Sequence, residues 1–143
     1  DVSAYSSWIA TGNAQVTASI FYNRVTGDQV DTRFDLTLYA YSGSISTYET
    51  QMRNETQIAI AHTFIITDDN LGSWEVCQIT IDVPVNTDFM AVEIMAFENV
   101  YNDVYPAVEF AGHYADRALV TIIPEPMTML LLSAGMFFIR RKY

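Results

Sequence analysis

The sequence predicts an all-β domain of two packed antiparallel sheets, followed by a short apolar segment near its carboxyl end. Apolar and polar residues alternate along several short stretches, and polar turns separate these stretches. β-Branched and aromatic residues dominate the body, whereas helix-capping residues are scarce. About seven to eight strands of this kind are typical of a jelly-roll or immunoglobulin-like β-sandwich.

The first two predicted strands show the clearest alternation. Residues 14–23 and 34–41 carry an apolar side chain at nearly every second position. The side chains expected to face the core are Val16, Ala18, Ile20, Tyr22, Phe34, Leu36, Leu38 and Ala40. Those expected on the outward side of the second strand are Asp35, Thr37, Tyr39 and Tyr41. Residues 23–28 are predicted to form the intervening turn.

The next two strands flank a polar turn at residues 68–72. Residues 57–67 form one strand, and residues 74–83 form the other, which ends at Pro84. The first strand groups five side chains on one side: Ile58, Ile60, His62, Phe64 and Ile66. In the second strand, the alternation places Cys77 on the side of Ile79, Ile81 and Val83, where a thiol serves as a small apolar filler. Because Cys77 is the only cysteine, an intrachain disulfide is excluded.

The remaining strands are predicted at residues 89–98, 107–111 and 117–123. Residues 89–97 are apolar on both faces, which favours a central position or a cover formed by the loop at residues 101–114. Residues 47–55 are predicted to form a short turn or helix.

Composition limits the classes of partner. The chain has 143 residues and a formal net charge of −10, and half of its residues are apolar. Three of its seven cations lie at the carboxyl end, so the body has only Arg24, Arg33, Arg53 and Arg117. This balance argues against nucleic-acid binding and against adhesion to anionic lipid headgroups.

The carboxyl end has three parts in a fixed order. Pro124, Glu125 and Pro126 precede an uncharged stretch at residues 127–139, and Arg140, Arg141 and Lys142 follow it. The large apolar residues of the stretch are Met127, Met129, Leu130, Leu131, Leu132, Met136, Phe137, Phe138 and Ile139. As a helix it would reach roughly 20 Å against a bilayer core of about 30 Å, which disfavours a permanent anchor. Snorkelling of the cations and local thinning would close part of this gap, which suits a segment held only until an enzyme removes it. The cations stay on the cytoplasmic side, which directs the body outward.

The two prolines favour an extended Ile123 and Glu125, with a helix beginning after Pro126. In this order, the three parts resemble the PEP-CTERM sorting signal of exported bacterial proteins. The resemblance divides the chain into an exported domain at residues 1–122 and a signal at residues 123–143. It implies recognition by an exosortase, a membrane-embedded cysteine transpeptidase-like enzyme, with cleavage near Pro124 to Pro126 and transfer to a surface carrier.

Two other interpretations of the carboxyl end remain open. It is either an ordinary single-pass anchor, or a chance Pro-Glu-Pro beside a buried hydrophobic hairpin. Export also requires a leader, and residues 1–4 have neither a basic start nor an apolar stretch. We expect that a leader was removed or that the sequence is a fragment.

Three groups of residues in the body are candidate binding sites. His62 and His113 lack zinc-site spacing, so His62 is expected to be a hydrogen-bonded core or edge histidine. Asp68, Asp69 and Asn70 offer oxygen ligands for calcium, although a solvated turn is the simpler interpretation. Tyr39 and Tyr41, with aromatic residues in the loops, either stack on sugars or cover the core or a partner interface.

The sequence therefore predicts a non-enzymatic protein of the cell surface or extracellular matrix, without a cofactor. The alternative is a carbohydrate-binding module that tethers exopolysaccharide through aromatic residues. A hydrolase ranks third, because no nucleophile, base and orienting residue stand in recognisable spacing.

Overall fold

The computed structural model describes residues 1–24, 32–67, 70, 72–98 and 113–124. It contains α1 (Ser6–Ile9), β1 (Ala14–Arg24), β2 (Thr32–Tyr41), α2 (Tyr48–Arg53), β3 (Ala59–Ile66), β4 (Glu75–Asp82), β5 (Phe89–Glu98) and β6 (His113–Pro124). Single 3₁₀ turns, Ser3–Tyr5 and Ile45–Thr47, precede the two helices. The predicted short helix at residues 47–55 is thus confirmed, whereas α1 was not predicted.

The strands form two antiparallel three-stranded sheets that pack face to face. Sheet A has the order β4-β1-β6 and sheet B the order β3-β2-β5. The all-β sandwich is thereby confirmed, with six strands among the described residues in place of the seven or eight predicted. The strand predicted at residues 107–111 and the apolar helix predicted after Pro126 lie outside the described residues. Within the described part of the chain, no helix has the length and apolar character needed to cross a bilayer.

The core lies between the two sheets. Most of its buried residues come from β1 and β4 of sheet A and from β2 of sheet B. The predicted inward faces of β1, β2 and β4 are confirmed. Their core residues include Val16, Ile20, Tyr22, Phe34, Leu36, Leu38, Cys77 and Ile81. Because β1 and β2 are central, each sheet contributes one fully paired strand to the core, and burial of their apolar side chains stabilises the sandwich.

β3 keeps the predicted grouping of side chains on one side, and that side faces outward. Ile60, Phe64 and Ile66 are exposed, whereas Ala59, Ala61 and Ile65 pack against the core. The register with β2 explains this, since Leu36 lies opposite Thr63 and Leu38 lies opposite Ala61. Directly opposed residues of an antiparallel pair lie on the same face, so the inward leucines draw Thr63 and Ala61 inward.

Two further positions in the sheets differ from prediction. Among the described strands, β5 lies at an edge of sheet B, so the predicted central placement is not found there. The alternative, a cover formed by residues 101–114, lies mostly outside the described residues. β6 begins at His113, earlier than predicted, and is likewise an edge among the described strands. A β-bulge interrupts its pairing with β1 between Ser19 and Phe21. Arg117 lies there with φ of 52°, and a charged bulge of this kind blunts an exposed edge.

Candidate functional site

The last strand among the described residues ends within the predicted sorting motif. Pro124 is the last residue of β6 and lies opposite Ala14 of β1, so β6 runs past the domain boundary predicted at residue 122. Ile123 is extended, as predicted. Proline has no N–H to offer a further ladder bond, which suits the end of a strand. Glu125, Pro126, the apolar stretch at residues 127–139 and the cations at residues 140–142 lie outside the described residues.

A charged cluster of Arg33, Asp35 and His62 lies on the outer face of sheet B. Arg33 Nε donates to Asp35 Oδ1 at 2.6 Å, and its Nη2 donates to Oδ2 at 2.7 Å. His62 Nε2 lies 2.7 Å from Oδ2, and it donates in this contact because a carboxylate can only accept. His62 is thus an edge-strand histidine with a hydrogen-bond partner, which confirms that prediction.

Aromatic rings border this cluster. The Arg33 guanidinium carbon lies 4.2 Å from the ring centroid of Phe64 and 5.9 Å from that of Phe97. At these distances the guanidinium forms cation–π contacts with both rings while it is bonded to the Asp35 carboxylate. The result is an outer face in which exposed rings surround a carboxylate that is only 4% exposed.

Opposing effects set the pKa of Asp35. Burial raises the pKa of this carboxyl, but hydrogen bonds from Arg33 and His62 and the charges of both residues outweigh burial and lower it. The bond to Asp35 in turn raises the pKa of Arg33. Asp35 therefore remains a carboxylate at neutral pH, in a position where its charge is compensated.

We predict that Asp35→Asn lowers the free energy of unfolding by about 1–2 kcal/mol at pH 7, since a charge-assisted bond contributes somewhat more than a neutral one and partial exposure weakens it. The folded pKa lies below the unfolded value of about 3.9, so the contribution is complete above that value. It should disappear as the pH falls through the folded pKa. Urea unfolding of both proteins from pH 7 to acidic pH measures this, and a difference that stays constant over the range would contradict it.

Sequence reasoning missed this cluster as a unit. Arg33 and Asp35 share a face two residues apart, which is a visible signal, but His62 comes from another strand. His62 lies opposite Thr37 and reaches Asp35 along the diagonal, a contact set by register.

Tyr39 and Tyr41 occupy different environments although they share a face. The Tyr39 hydroxyl donates to Glu93 Oε2 at 2.7 Å, and burial followed by this bond raises the pKa of Tyr39 to about 12. Tyr41 is 0% exposed, because Phe89 stacks on its ring at 5.1 Å and Tyr48 of α2 covers its edge at 5.8 Å. Burial also raises the pKa of Tyr41. Of the two tyrosines, only Tyr39 presents part of its ring to a ligand.

The sandwich is open between the edge strands β5 and β6 in the described part of the chain. Val92 and Ile94 of β5 and Val120 of β6 lie on inner faces but stay exposed. Val92 and Val120 border a cleft of about 290 Å³ whose other walls come from Val16, Leu38, Met90 and Ile122, with Asp1, Val2 and Tyr5 at one end.

The remaining candidate residues are dispersed. Cys77 is buried in the core, and burial followed by the charge of Asp35 raises the pKa of its thiol, which opposes a role as nucleophile. His113 lies in β6, where its ring meets that of Phe34 edge-on at 5.4 Å. Asp68 and Asp69 of the calcium candidate are outside the described residues, and Asn70 accepts a bond from the Gly72 N–H at 3.0 Å. The described residues contain no group of side chains able to hold a metal ion.

Comparison with known proteins gave no match. No protein-family model, no curated protein and no solved structure is significantly similar to this chain. The resemblance to a sorting signal therefore rests on the residues of the carboxyl end alone.

Proposed function

We propose that this chain is a non-enzymatic exported protein, which a carboxy-terminal sorting signal directs to the cell surface or the extracellular matrix. One observation carries the proposal: Pro124-Glu125-Pro126, an uncharged stretch and a basic end follow one another without interruption. Each part has its own physical task. The prolines keep the motif extended, the uncharged stretch enters lipid as a short helix, and the cations stop its passage.

The fold is compatible with processing at this motif. β6 ends on Pro124, so the motif begins at the last residue of the sheet. An exosortase-like enzyme that cleaves between residues 124 and 126 would release a domain that keeps all six strands. The domain would then reach the surface without its apolar stretch, which suits a soluble matrix component or one attached to a surface carrier.

The intact mass of the protein recovered from its native cell surface tests the proposal. We expect a species that ends near Pro124 to Pro126. A double variant, Glu125→Ala with Pro126→Ala, should retain the whole carboxyl end, because both changes lie in the motif and beyond the last strand. Glu49→Ala, at an exposed acid of α2, is the matched control and should be processed normally. A wild-type mass that still includes Tyr143 would contradict processing.

A specific observation favours carbohydrate binding as a second candidate. On the outer face of sheet B, the exposed ring of Phe64 lies beside the donors of Arg33 and His62. A ring with polar groups at its border suits the apolar face and hydroxyl rim of a sugar. The domain would then tether exopolysaccharide through this face, with Tyr39 as a further ring.

A glycan array separates this candidate from a purely structural domain. Binding by the wild type that is lost in Phe64→Ala would support it. Val76→Ala is the matched control, because Val76 is similarly exposed but belongs to sheet A, and it should bind normally. An array on which the wild type binds nothing would count against this candidate.

A further inference from the structure

The end of the molecule at which β6 terminates carries exposed aromatic residues close to the point where the chain leaves the sheet. We call this end the C-terminal pole and define it as residues 1–13, 42–58 and 83–88 together with Pro124. Pro124 lies opposite Ala14, and Tyr41 lies opposite Phe89, so both sheets contribute to it. Backbone bonds join its connections, with Val2 N donating to Asp88 O at 3.2 Å and Asp88 N donating to Tyr41 O at 2.9 Å.

Each of the three connections at this pole exposes large apolar side chains. The rings of Tyr5 and Trp8 lie 5.6 Å apart, and Trp8 is 42% exposed. The other two connections contribute Ile45, at 58% exposed, and Val85, at 53%. Tyr5 also lines the cleft beside Ile122, two residues before the end of β6. Tyr5 of the aromatic pair therefore lies near the carboxyl end of β6.

The length of chain beyond β6 limits how far this pole can lie from lipid. Only Glu125 and Pro126 separate Pro124 from the uncharged stretch that starts at Met127. Three steps along the chain span at most roughly 10 Å. The polar region on each side of a bilayer core is about 5–8 Å thick, so a domain on so short a connection has to touch the headgroups.

We propose that the C-terminal pole rests on the surface of an electrically neutral lipid bilayer, with Tyr5 and Trp8 among the headgroups. This inference rests on the proposed function, because the uncharged stretch must first enter the membrane. Tyrosine and tryptophan are the residues that best suit this region, since an apolar ring carries a polar edge. Ile45 and Val85 add apolar contact beside them.

The charges of the pole determine the kind of lipid. Two carboxylates there are bonded within the protein: Asp1 accepts from Ser3 N at 2.8 Å, and Asp88 accepts from Gly43 N at 2.6 Å. Asp82, at the adjoining end of β4, accepts from Gln15 Nε2 at 2.8 Å. All three of these residues are acidic, and Arg53 is the only Lys or Arg side chain that the described residues of the pole supply. Anionic headgroups would repel such a surface, whereas zwitterionic headgroups would not.

The second tryptophan supplies an internal control. Trp74 precedes β4, whose first residue, Glu75, lies opposite Tyr22 near the far end of β1. β1 has 11 residues, so Trp74 lies roughly 30 Å from the C-terminal pole. Its side chain is 46% exposed, close to the 42% of Trp8. The chain has two tryptophans, so each single replacement leaves one reporter.

The test reconstitutes the full chain in vesicles of phosphatidylcholine that contain brominated phosphatidylcholine, whose bromine atoms quench indole fluorescence near contact. Trp74→Phe, which reports Trp8, should lose fluorescence relative to vesicles without bromine. Trp8→Phe, which reports Trp74, should keep its fluorescence. Replacing part of the neutral lipid by brominated phosphatidylglycerol should lessen the loss at Trp8. Unchanged thermal unfolding verifies that both variants are folded.

Flotation of the vesicles separates the possible failures. A chain that floats but shows no quenching of Trp8, or equal quenching of Trp74, overturns the orientation and leaves membrane insertion intact. Stronger quenching of Trp8 with anionic lipid overturns the neutral partner. A chain that does not float overturns both the insertion required by the proposed function and this inference.

Discussion

Replacing Tyr41 with alanine should lower the free energy of unfolding by about 3–5 kcal/mol, the range for loss of a large buried aromatic side chain. The ring is fully buried between Phe89 of β5 and Tyr48 of α2. Removing it would leave a cavity beneath the helical connection and would detach α2 from sheet B. Urea unfolding followed by circular dichroism measures the loss.

Tyr41→Phe should behave differently. The Tyr41 hydroxyl is buried and has no hydrogen-bond partner among the described residues. A buried donor without a partner costs free energy, so removing the oxygen while keeping the ring should leave stability unchanged or raise it by up to about 1 kcal/mol. A loss in Tyr41→Phe as large as that in Tyr41→Ala would contradict the assignment of the stability to ring packing.

Tyr39→Ala serves as the matched comparison on the same face of the same strand. Tyr39 is only partly buried and bonds to Glu93, so we expect a cost of roughly 1–2 kcal/mol in the free energy of unfolding.

This difference in stability between the Tyr39 and Tyr41 variants affects how sugar binding is tested. A double variant of Tyr39 and Tyr41 would lose ligand binding merely by unfolding, whereas a single change at Tyr39 or Phe64 would not.

The second large effect is expected at Tyr22, where the two sheets meet near the opposite pole. Tyr22 of β1 stacks on Phe34 of β2 with ring centroids 4.2 Å apart and an interplanar angle of 13°. Its side chain is 0% exposed, and its hydroxyl donates to the Asp35 backbone oxygen at 3.3 Å. We predict a cost of about 3–5 kcal/mol for Tyr22→Ala.

Tyr22→Phe separates the ring from the hydroxyl. Because this hydroxyl has a partner, its removal should cost about 0.5–1.5 kcal/mol, in contrast to the corresponding change at Tyr41. The denaturant midpoints of Tyr41→Ala, Tyr41→Phe, Tyr22→Ala and Tyr22→Phe can therefore be compared directly, because each pair separates the ring from its hydroxyl. If Tyr22→Ala unfolded at the wild-type midpoint, the Tyr22–Phe34 contact would not be holding the sheets together.

The period-two pattern was sufficient wherever one face of a strand is clearly larger and more apolar than the other. Val16, Ile20, Leu36, Leu38 and Cys77 are all buried as predicted. At β3 the pattern grouped the side chains correctly but did not say which face is buried, because both faces are rich in apolar residues. The correct assignment needed the register with β2, which no local pattern contains.

The charged cluster shows the same limit. Arg33 and Asp35 are neighbours on one strand face, but His62 is separated from Asp35 by 27 positions and meets it only when β3 pairs with β2. Likewise, Tyr41 looks like an outward tyrosine in sequence. It is buried because α2 packs over the end of β2, where the ring of Tyr48 contacts that of Tyr41. Strand periodicity does not predict this contact between a helix and a strand.

The amino-acid sequence by itself determined the β-rich class, the inward faces of β1, β2 and β4, the lack of an intrachain disulfide and the order of proline motif, uncharged stretch and basic end. These properties depend on residue type and short-range spacing, which the sequence states directly. Only the tertiary structure decided which strands lie at the edges, which aromatic residues stay exposed, and that Trp8 lies at the pole where β6 ends while Trp74 lies at the other. These features depend on how distant segments of the chain pair, and the packing of the whole domain fixes the register of that pairing.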